Sequence, residues 1–218
     1  MKSRLDAVEE RIHRAVERCG RSRARITLIA VTKIFPASVI LEAYALGLRD
    51  FGENYVQEFQ GKSAEVSQLP GARFHLIGHL QSNKSKIASE FFDVIQTVDT
   101  AKLAQRLDAG GKTLDVFLEV KLSPEDSKSG VLPSELPSLI DAVKHCPRLR
   151  LTGLMTMPPW CDDAEPTRPY FRRLRELADE HGLTALSMGM SHDFEVAIEE
   201  GATHIRVGTA LFGRRKKP

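Results

Sequence analysis

The segment ITLIAVTKIFP, residues 26–36, carries a single amine at the end of an otherwise uncharged run. Seven uncharged residues lead to Lys33, and a Phe-Pro pair that favours a turn follows shortly after it. A lysine at the end of a strand commonly extends its side chain to solvent. Apolar surroundings disfavour an ammonium group, however, and an uncharged lysine amine attacks aldehydes to form a Schiff base. Lys33 is therefore a candidate nucleophile whose chemistry depends on its neighbours.

Two glycine-containing turns near the end of the chain have the composition of a phosphate site. The segment SMGMSHD contains Gly189 and Ser191. The segment RVGTALFG contains Gly208 and Thr209. Glycines let backbone N–H groups approach an anion closely, hydroxyl groups donate hydrogen bonds, and a helix predicted after Ser191 adds a favourable dipole. The same residue types also serve as N-caps and packing glycines, but on neighbouring strands the two turns together predict bound phosphate.

These residues need a framework, and the rest of the chain predicts a repeating one. Apolar runs rich in β-branched residues alternate with segments of helical period. The runs predict strands at 26–33, 50–54, 73–79, 94–99, 114–122, 149–157, 185–190 and 204–213. The intervening helices are expected at 37–46, 55–67, 84–91, 101–109, 134–145, 170–180 and 194–200, with an additional N-terminal helix at 5–20. Strands that are apolar at consecutive positions are buried on both faces, so the pattern predicts a parallel α/β sheet closed into a (β/α)₈ TIM-type barrel.

The chain is interpreted as one domain, residues 1–218, because no linker rich in Pro, Gly or Ser divides it. A barrel brings Lys33 and both glycine-containing turns to one face, since active sites of this fold form at the carboxyl ends of the strands. A phosphorylated aldehyde fits that combination, which points to pyridoxal 5′-phosphate as the cofactor. Arg206 shares the parity of Gly208, so its guanidinium is expected in the barrel mouth near the pyridine nitrogen. An internal ion pair with a carboxylate such as Glu119 is the alternative, and spacing favours neither.

Composition limits the location and the partners of the protein. The formal net charge is +2, with 42% hydrophobic and 28% charged residues, which excludes a disordered chain and a strongly basic nucleic-acid binder. The three cysteines show no CxxC spacing, and no stretch resembles a signal peptide or a membrane helix. These features predict a cytoplasmic protein with a small-molecule partner, without nucleic acid, membrane, disulfide or metal site. The terminal GRRKKP is interpreted as a solubilising tail.

A histidine, a lysine and four methionines elsewhere in the chain are interpreted as packing, solvated or barrel-filling residues. His79 is expected in a loop or in packing. Lys128 belongs to a charged loop of the kind that is usually solvated, although it could reach a bound aldehyde. The methionines near strand ends are expected to fill the barrel close to any ligand, and they are Met155, Met157, Met188 and Met190.

Several segments resemble the pyridoxal phosphate homeostasis protein family, single-domain relatives of the alanine racemase N-terminal barrel. They are VTK, FGENYVQE, FHLIGHLQSNK, SKSG, GLMTM and SMGMSHDFEVAIEEGATHIRVGTALFG, and they follow one another from about residue 26 to residue 214. The resemblance implies a single (β/α)₈ barrel with pyridoxal phosphate attached to Lys33 as a Schiff base. It also implies cofactor contacts from further residues: Ser191, Gly208 and Thr209 at the phosphate, Arg206 at the ring nitrogen, and Asn54 and Met155 along the ring.

Two functions remain open: a protein that holds pyridoxal phosphate and passes it to apo-enzymes without turnover, and a pyridoxal phosphate-dependent amino-acid racemase. Arginine does not give the ring nitrogen a proton, which weakens the ring as an electron sink, although racemases tolerate such an arginine. Racemising relatives place a tyrosine from a further domain opposite the lysine, whereas this chain ends at Pro218 soon after the eighth predicted strand. The first function is therefore expected, with no catalytic residue assigned. A phosphosugar-metabolising barrel would need paired acid and base residues that we do not locate.

Overall fold

Eight parallel strands form a closed barrel in the computed structural model, which describes residues 1–123 and 129–213. The strands are β1 Thr27–Val31, β2 Asp50–Glu53, β3 Arg73–Leu76, β4 Val94–Val98, β5 Leu114–Glu119, β6 Leu149–Met155, β7 Ala185–Met190 and β8 His204–Val207. They pair in chain order, and the barrel closes where Ile29 of β1 lies opposite Arg206 of β8. The predicted (β/α)₈ barrel is confirmed.

Helices cover the outside of the barrel. They are α1 Lys2–Arg18, α2 Ala37–Ala45, α3 Val56–Val66, α4 Ser85–Phe91, α5 Ala101–Asp108, α6 Leu136–Lys144, α7 Arg168–Glu180, α8 Phe194–Glu199 and α9 Thr209–Phe212. In α5, Leu103 and Leu107 are buried at helical spacing, and Thr100 caps the helix by accepting the Leu103 N–H. No helix within the described residues combines the length and apolar character that crossing a bilayer requires.

The predicted N-terminal helix is present as α1 and packs against α8 and α9. Its Arg11 forms an ion pair with Glu195 of α8 at 2.8 Å. The same guanidinium donates to the backbone carbonyl of Ser191 at 3.1 Å. The N-terminal helix therefore contacts the turn that the sequence predicts to bind phosphate.

Several predicted strands extend past the ends that the structure shows, and two of these ends lie next to the candidate site. β1 ends at Val31, so Lys33 lies in the following turn, which the Phe35 N–H closes by donating to the Thr32 carbonyl at 3.1 Å. The eighth strand ends at Val207 instead of residue 213, and the chain continues as α9. The apolar segment TALF fits a helical turn as well as a strand, and the two cannot be separated by periodicity in so short a run.

Candidate functional site

A cavity of about 520 Å³ opens at the carboxyl ends of the strands. Its size is within the range of about 300–1,000 Å³ that is typical of sites for small ligands. Six of the seven predicted cofactor-binding residues line it: Lys33, Asn54, Ser191, Arg206, Gly208 and Thr209. The ends of β1, β2, β7 and β8 thus bring together an amine, an amide, two hydroxyl groups and a guanidinium.

Met155 does not line this cavity. It is fully buried at the end of β6, where it packs with Val94 and Phe117. Met157 and Met190 line the cavity instead. Residues 155 and 157 have the same parity, but only Met157 lies beyond the end of the strand, at the level of a ligand. Met155 is therefore not among the residues that line the cavity, and its assignment to the ring of the cofactor stays a prediction.

The turn that carries Lys33 is held by a buried lysine of α3, Lys62. Its Nζ donates to the carbonyl oxygens of Thr32 and Phe35, at 3.1 and 3.0 Å. It also pairs with the fully buried Glu53 at 2.9 Å. The same Glu53 accepts the Thr32 hydroxyl at 2.6 Å. Sequence analysis missed Lys62, because a lysine within a helical segment usually lies on the solvated face.

The backbone immediately after Lys33 adopts an unusual conformation. Ile34 has φ 70°, in the left-handed region that β-branched residues rarely enter. Its N–H donates to the carboxylate of Glu58, which also pairs with Lys62 at 3.0 Å. Burial raises the pKa of the neighbouring Glu53, and the charge of Lys62 opposes that effect. Contacts with α3 therefore fix the conformation of this turn.

Ser191 and the backbone after β8 converge on one wall of the cavity. The N–H groups of Gly208 and Ala210 donate to the Ser191 hydroxyl oxygen at 3.2 and 3.3 Å. Because that oxygen accepts from both, the hydroxyl hydrogen is available to an anion. The helix that follows this turn, α8, has only six residues. Local N–H and hydroxyl donors, rather than a long helix dipole, define this wall.

Gly189 shapes the turn between β7 and α8. Its φ of 91° lies in the left-handed region that favours glycine. A Cβ at this position would come within 2.5 Å of Ala197 Cβ and 2.9 Å of Phe194 Cα. The turn is also closed by the Met190 N–H, which donates to the buried Asp193 carboxylate at 2.6 Å. Close packing against α8 therefore needs glycine here and directs the intervening residues to the cavity.

Arg206 is 3% exposed and begins a chain of hydrogen bonds through the barrel interior. Its guanidinium donates to Ser187 Oγ at 2.7 Å, and Ser187 donates to Gln96 Oε1 at 2.6 Å. The Gln96 amide nitrogen lies 3.0 Å from His75 Nδ1, and His75 Nε2 lies 2.9 Å from Asp50. Since Gln96 uses its oxygen for Ser187, it donates to His75 Nδ1, and His75 then donates from Nε2 to Asp50. Each of these four contacts therefore pairs one donor with one acceptor.

The charge of Arg206 remains available to a ligand. In the described part of the chain its direct hydrogen-bond partners are neutral oxygens, those of Ser187 and the Thr156 carbonyl, the latter at 2.9 Å. Burial lowers the pKa of Arg206 to about 10, with the nearby Asp193 and Glu119 acting in the opposite direction. The side chain therefore stays charged at neutral pH. Glu119 acts on it electrostatically, but Arg206 and Glu119 do not form the direct ion pair that the sequence left as an alternative.

The aromatic side chains of Trp160 and His192 also line the cavity, and the sequence did not predict them as ligand contacts. Their ring centroids lie 3.9 Å apart. Trp160 comes from the loop after β6 and is 67% exposed. The position of His192 directly after Ser191 was the only sequence signal for it, and the stacking contact depends on two loops that the sequence does not show to be adjacent.

The remaining candidates lie elsewhere. His79 lines a separate cavity of about 160 Å³, and its Nδ1 is 3.1 Å from Ser129 Oγ and 3.9 Å from Asp99. Lys128 and the basic C-terminal tail fall outside the described residues. Within residues 1–123 and 129–213, no group of three or more His, Cys, Asp or Glu side chains is placed to hold a metal ion.

Comparison with known proteins agrees with the geometry. Residues 3–216 match the family described as "Alanine racemase, N-terminal domain". A relative from Pseudomonas aeruginosa named "Pyridoxal phosphate homeostasis protein" is 50% identical over 214 residues, which cover 95% of this chain and 93% of the relative. The solved structure of PipY from Synechococcus elongatus PCC7942 with PLP bound is 41% identical, has a TM-score of 0.81, and is matched over 93% of this chain and 100% of that one.

Alanine racemase from Corynebacterium glutamicum is a more distant neighbour, with 19% identity and a TM-score of 0.67. The match covers 97% of this chain and 61% of the racemase, so it reports the fold alone. The homeostasis relatives, in contrast, match over nearly the full length of both chains. Within the family of the alanine racemase N-terminal domain, this chain belongs to the pyridoxal phosphate homeostasis proteins.

Proposed function

We propose that this protein binds pyridoxal 5′-phosphate in the cavity at the barrel mouth and takes part in homeostasis of the cofactor in the cytoplasm. Residues 1–218 act as one cofactor-binding domain that holds the cofactor as a Schiff base on Lys33 and releases it to apo-enzymes. The observation that carries this proposal is the convergence of Lys33, Arg206 and Ser191 on a single cavity. The name of the Pseudomonas aeruginosa relative and the PLP-bound structure of PipY support it.

The donor set of the cavity suits each part of the cofactor. The Ser191 hydroxyl and the backbone around Gly208 and Thr209 offer hydrogen bonds to the phosphate. Arg206 offers an N–H donor to the pyridine nitrogen, and Asn54 lines the same cavity as Lys33. When bound, the cofactor supplies an aldehyde that links covalently and reversibly to an amine.

Lys33 provides that amine. Its nitrogen would hold the cofactor through a reversible covalent bond to the aldehyde, with water released on attachment and taken up on release. The turn held by Lys62 presents Lys33 for this exchange, while the phosphate contacts act without any covalent bond.

Turnover of a substrate is not part of the proposal. Arg206 keeps its proton at neutral pH, since its pKa is about 10, so the ring nitrogen receives a hydrogen bond rather than a proton. An unprotonated ring withdraws electrons less strongly from a bound amino acid. Amino-acid racemisation, the alternative weighed from the sequence, is supported by the fold alone.

Reductive trapping tests the attachment site. The protein is incubated with pyridoxal phosphate, reduced with borohydride and digested for peptide mapping. We expect the label on Lys33, and we expect Lys33→Ala to bind the cofactor more weakly and without a covalent label. Label on Lys62 or Lys128, with none on Lys33, would contradict the proposal.

A transfer assay tests the role. Loaded protein mixed with an unrelated apo-enzyme should restore the activity of that enzyme. With L- or D-alanine, chiral chromatography should detect no racemisation above a control containing only free pyridoxal phosphate. Racemisation that rises in proportion to protein concentration would replace the carrier function with an enzymatic one.

A further inference from the structure

His192 lies in the turn after β7 and lines the cofactor cavity. Both of its ring nitrogens are buried, and neither has a hydrogen-bond partner among the described residues. The nearest carboxylate oxygen, from Asp193, is 3.7 Å from Nε2, which is beyond hydrogen-bond distance. Buried polar atoms without partners cost free energy and are uncommon in folded proteins. Both ring nitrogens therefore lack a partner in the described part of the chain.

A purely structural histidine in the same barrel looks different. His75 uses both ring nitrogens, one toward Gln96 at 3.0 Å and the other toward Asp50 at 2.9 Å. His192 has neither kind of contact, although Trp160 packs against it with ring centroids 3.9 Å apart and the rings tilted by 41°. The ring of His192 thus has an aromatic neighbour, while its nitrogens are left for another group.

We propose that His192 is an additional ligand of the anionic group of the cofactor, extending the wall formed by Ser191, Gly208 and Thr209. Neither nitrogen is exposed to the cavity as the ring stands, so binding would turn the imidazole until one ring nitrogen donates a hydrogen bond to a phosphate oxygen. The proposal rests on the proposed function, because it assumes that a phosphorylated ligand occupies this cavity. The phosphate is favoured over the ring because His192 follows Ser191 directly and the two side chains line the same cavity as Thr209 and Ala210.

A comparison of pyridoxal phosphate with pyridoxal isolates the phosphate contact. Equilibrium dialysis gives the affinity of each compound for wild type and for His192→Phe, which keeps an aromatic ring against Trp160 but has no nitrogen donor. Ser191→Ala tests the phosphate wall itself. His145→Phe is a matched control, because His145 is exposed at the end of α6, away from the cavity. Near-ultraviolet circular dichroism of Trp160, the single tryptophan of the chain, checks that the aromatic stack persists.

We expect His192→Phe to weaken binding of pyridoxal phosphate about 10- to 100-fold, the effect of losing a hydrogen bond to a charged group. Its affinity for pyridoxal should change less than about twofold. Substitution by Asn or Gln places an N–H donor near one or the other ring-nitrogen position, and at least one of the two should retain most of the preference for the phosphorylated compound.

The outcomes separate this inference from the function on which it rests. If Ser191→Ala loses the preference for pyridoxal phosphate but His192→Phe keeps it, the phosphate wall is real and the role of His192 is refuted. Equal losses for both compounds in His192→Phe also refute it, because the contact would then involve another part of the ligand. If wild type itself shows no preference for pyridoxal phosphate over pyridoxal, the proposed phosphate site fails first.

Discussion

Glu119, at the end of β5, is a buried carboxyl group whose ionisation should control stability. It is 3% exposed, and its Oε2 has no hydrogen-bond partner among the described residues. Burial raises its pKa from 4.5 to about 7, with Asp99 adding to the effect and Arg206 opposing it. The folded protein thus binds this proton more tightly than the unfolded chain. The resulting stabilisation is complete below about pH 4.5 and is lost as the pH rises through about 7.

Glu119→Gln removes the ionisation and keeps the shape of the side chain. At about 1.4 kcal/mol per pKa unit, the charged carboxyl destabilises the folded state by about 3 kcal/mol once the pH exceeds the folded pKa. The free energy of unfolding in urea should therefore be higher for the variant by under about 1 kcal/mol at pH 5 and by about 3 kcal/mol at pH 8. Glu65→Gln, at an exposed position on α3, serves as the control and should show no such trend. A stability difference for Glu119→Gln that is the same at both pH values would refute the reasoning.

Two further substitutions test the supports of the site. Lys62→Met leaves the fully buried Glu53 without its ion pair, so the free energy of unfolding in urea should fall by about 3–5 kcal/mol. Reductive labelling of Lys33 should also become slower. Lys144→Met, at an exposed position, is the control and should change neither the stability nor the labelling. Gly189→Ala introduces backbone strain and overlap with Ala197, so stability should fall by about 1–3 kcal/mol and the preference for pyridoxal phosphate over pyridoxal should decrease. Gly182→Ala is the control, because Gly182 has a similar positive φ but open space around it, and this variant should lose stability without losing the preference for pyridoxal phosphate. If both variants lose that preference equally, the role of Gly189 is contradicted.

The barrel could be predicted from the sequence because its strands are apolar at successive positions. A run such as LIAV is buried on both faces only in a sheet covered by helices. Eight such runs in one chain then predict a closed barrel. The ends of the strands were harder to predict from the sequence. The segment TALF continues the apolar character of β8 but folds as α9. The hydrogen bonds of Leu211 and Phe212 to the Gly208 carbonyl, and of Gly213 to the Thr209 carbonyl, identify the helical turn.

Site residues that directly follow a strand could be predicted from the sequence, whereas contacts between distant strands could not. Lys33 and Ser191 follow strands, so position in the repeat was enough to bring them to one cavity. The partners of Arg206 could not be predicted in this way, because Ser187 and Gln96 come from β7 and β4 and meet across the barrel interior. Lys62 was missed for a similar reason. Its partners belong to the turn after β1 and to β2, and no local pattern marks a helical lysine as buried.

Three separate parts of the protein support the three groups proposed to contact the cofactor. Lys62 of α3 holds the turn that carries Lys33, and the barrel interior holds Arg206 through Ser187. The turn containing Ser191 is held by Arg11 of α1, which donates to the Ser191 carbonyl at 3.1 Å. Because these supports share no side chain, opening the proposed covalent link at Lys33 would leave the proposed phosphate and ring contacts in place. Such independence lets a protein keep the cofactor non-covalently after the Schiff base is broken, so that release is governed by hydrogen bonds rather than by the covalent step.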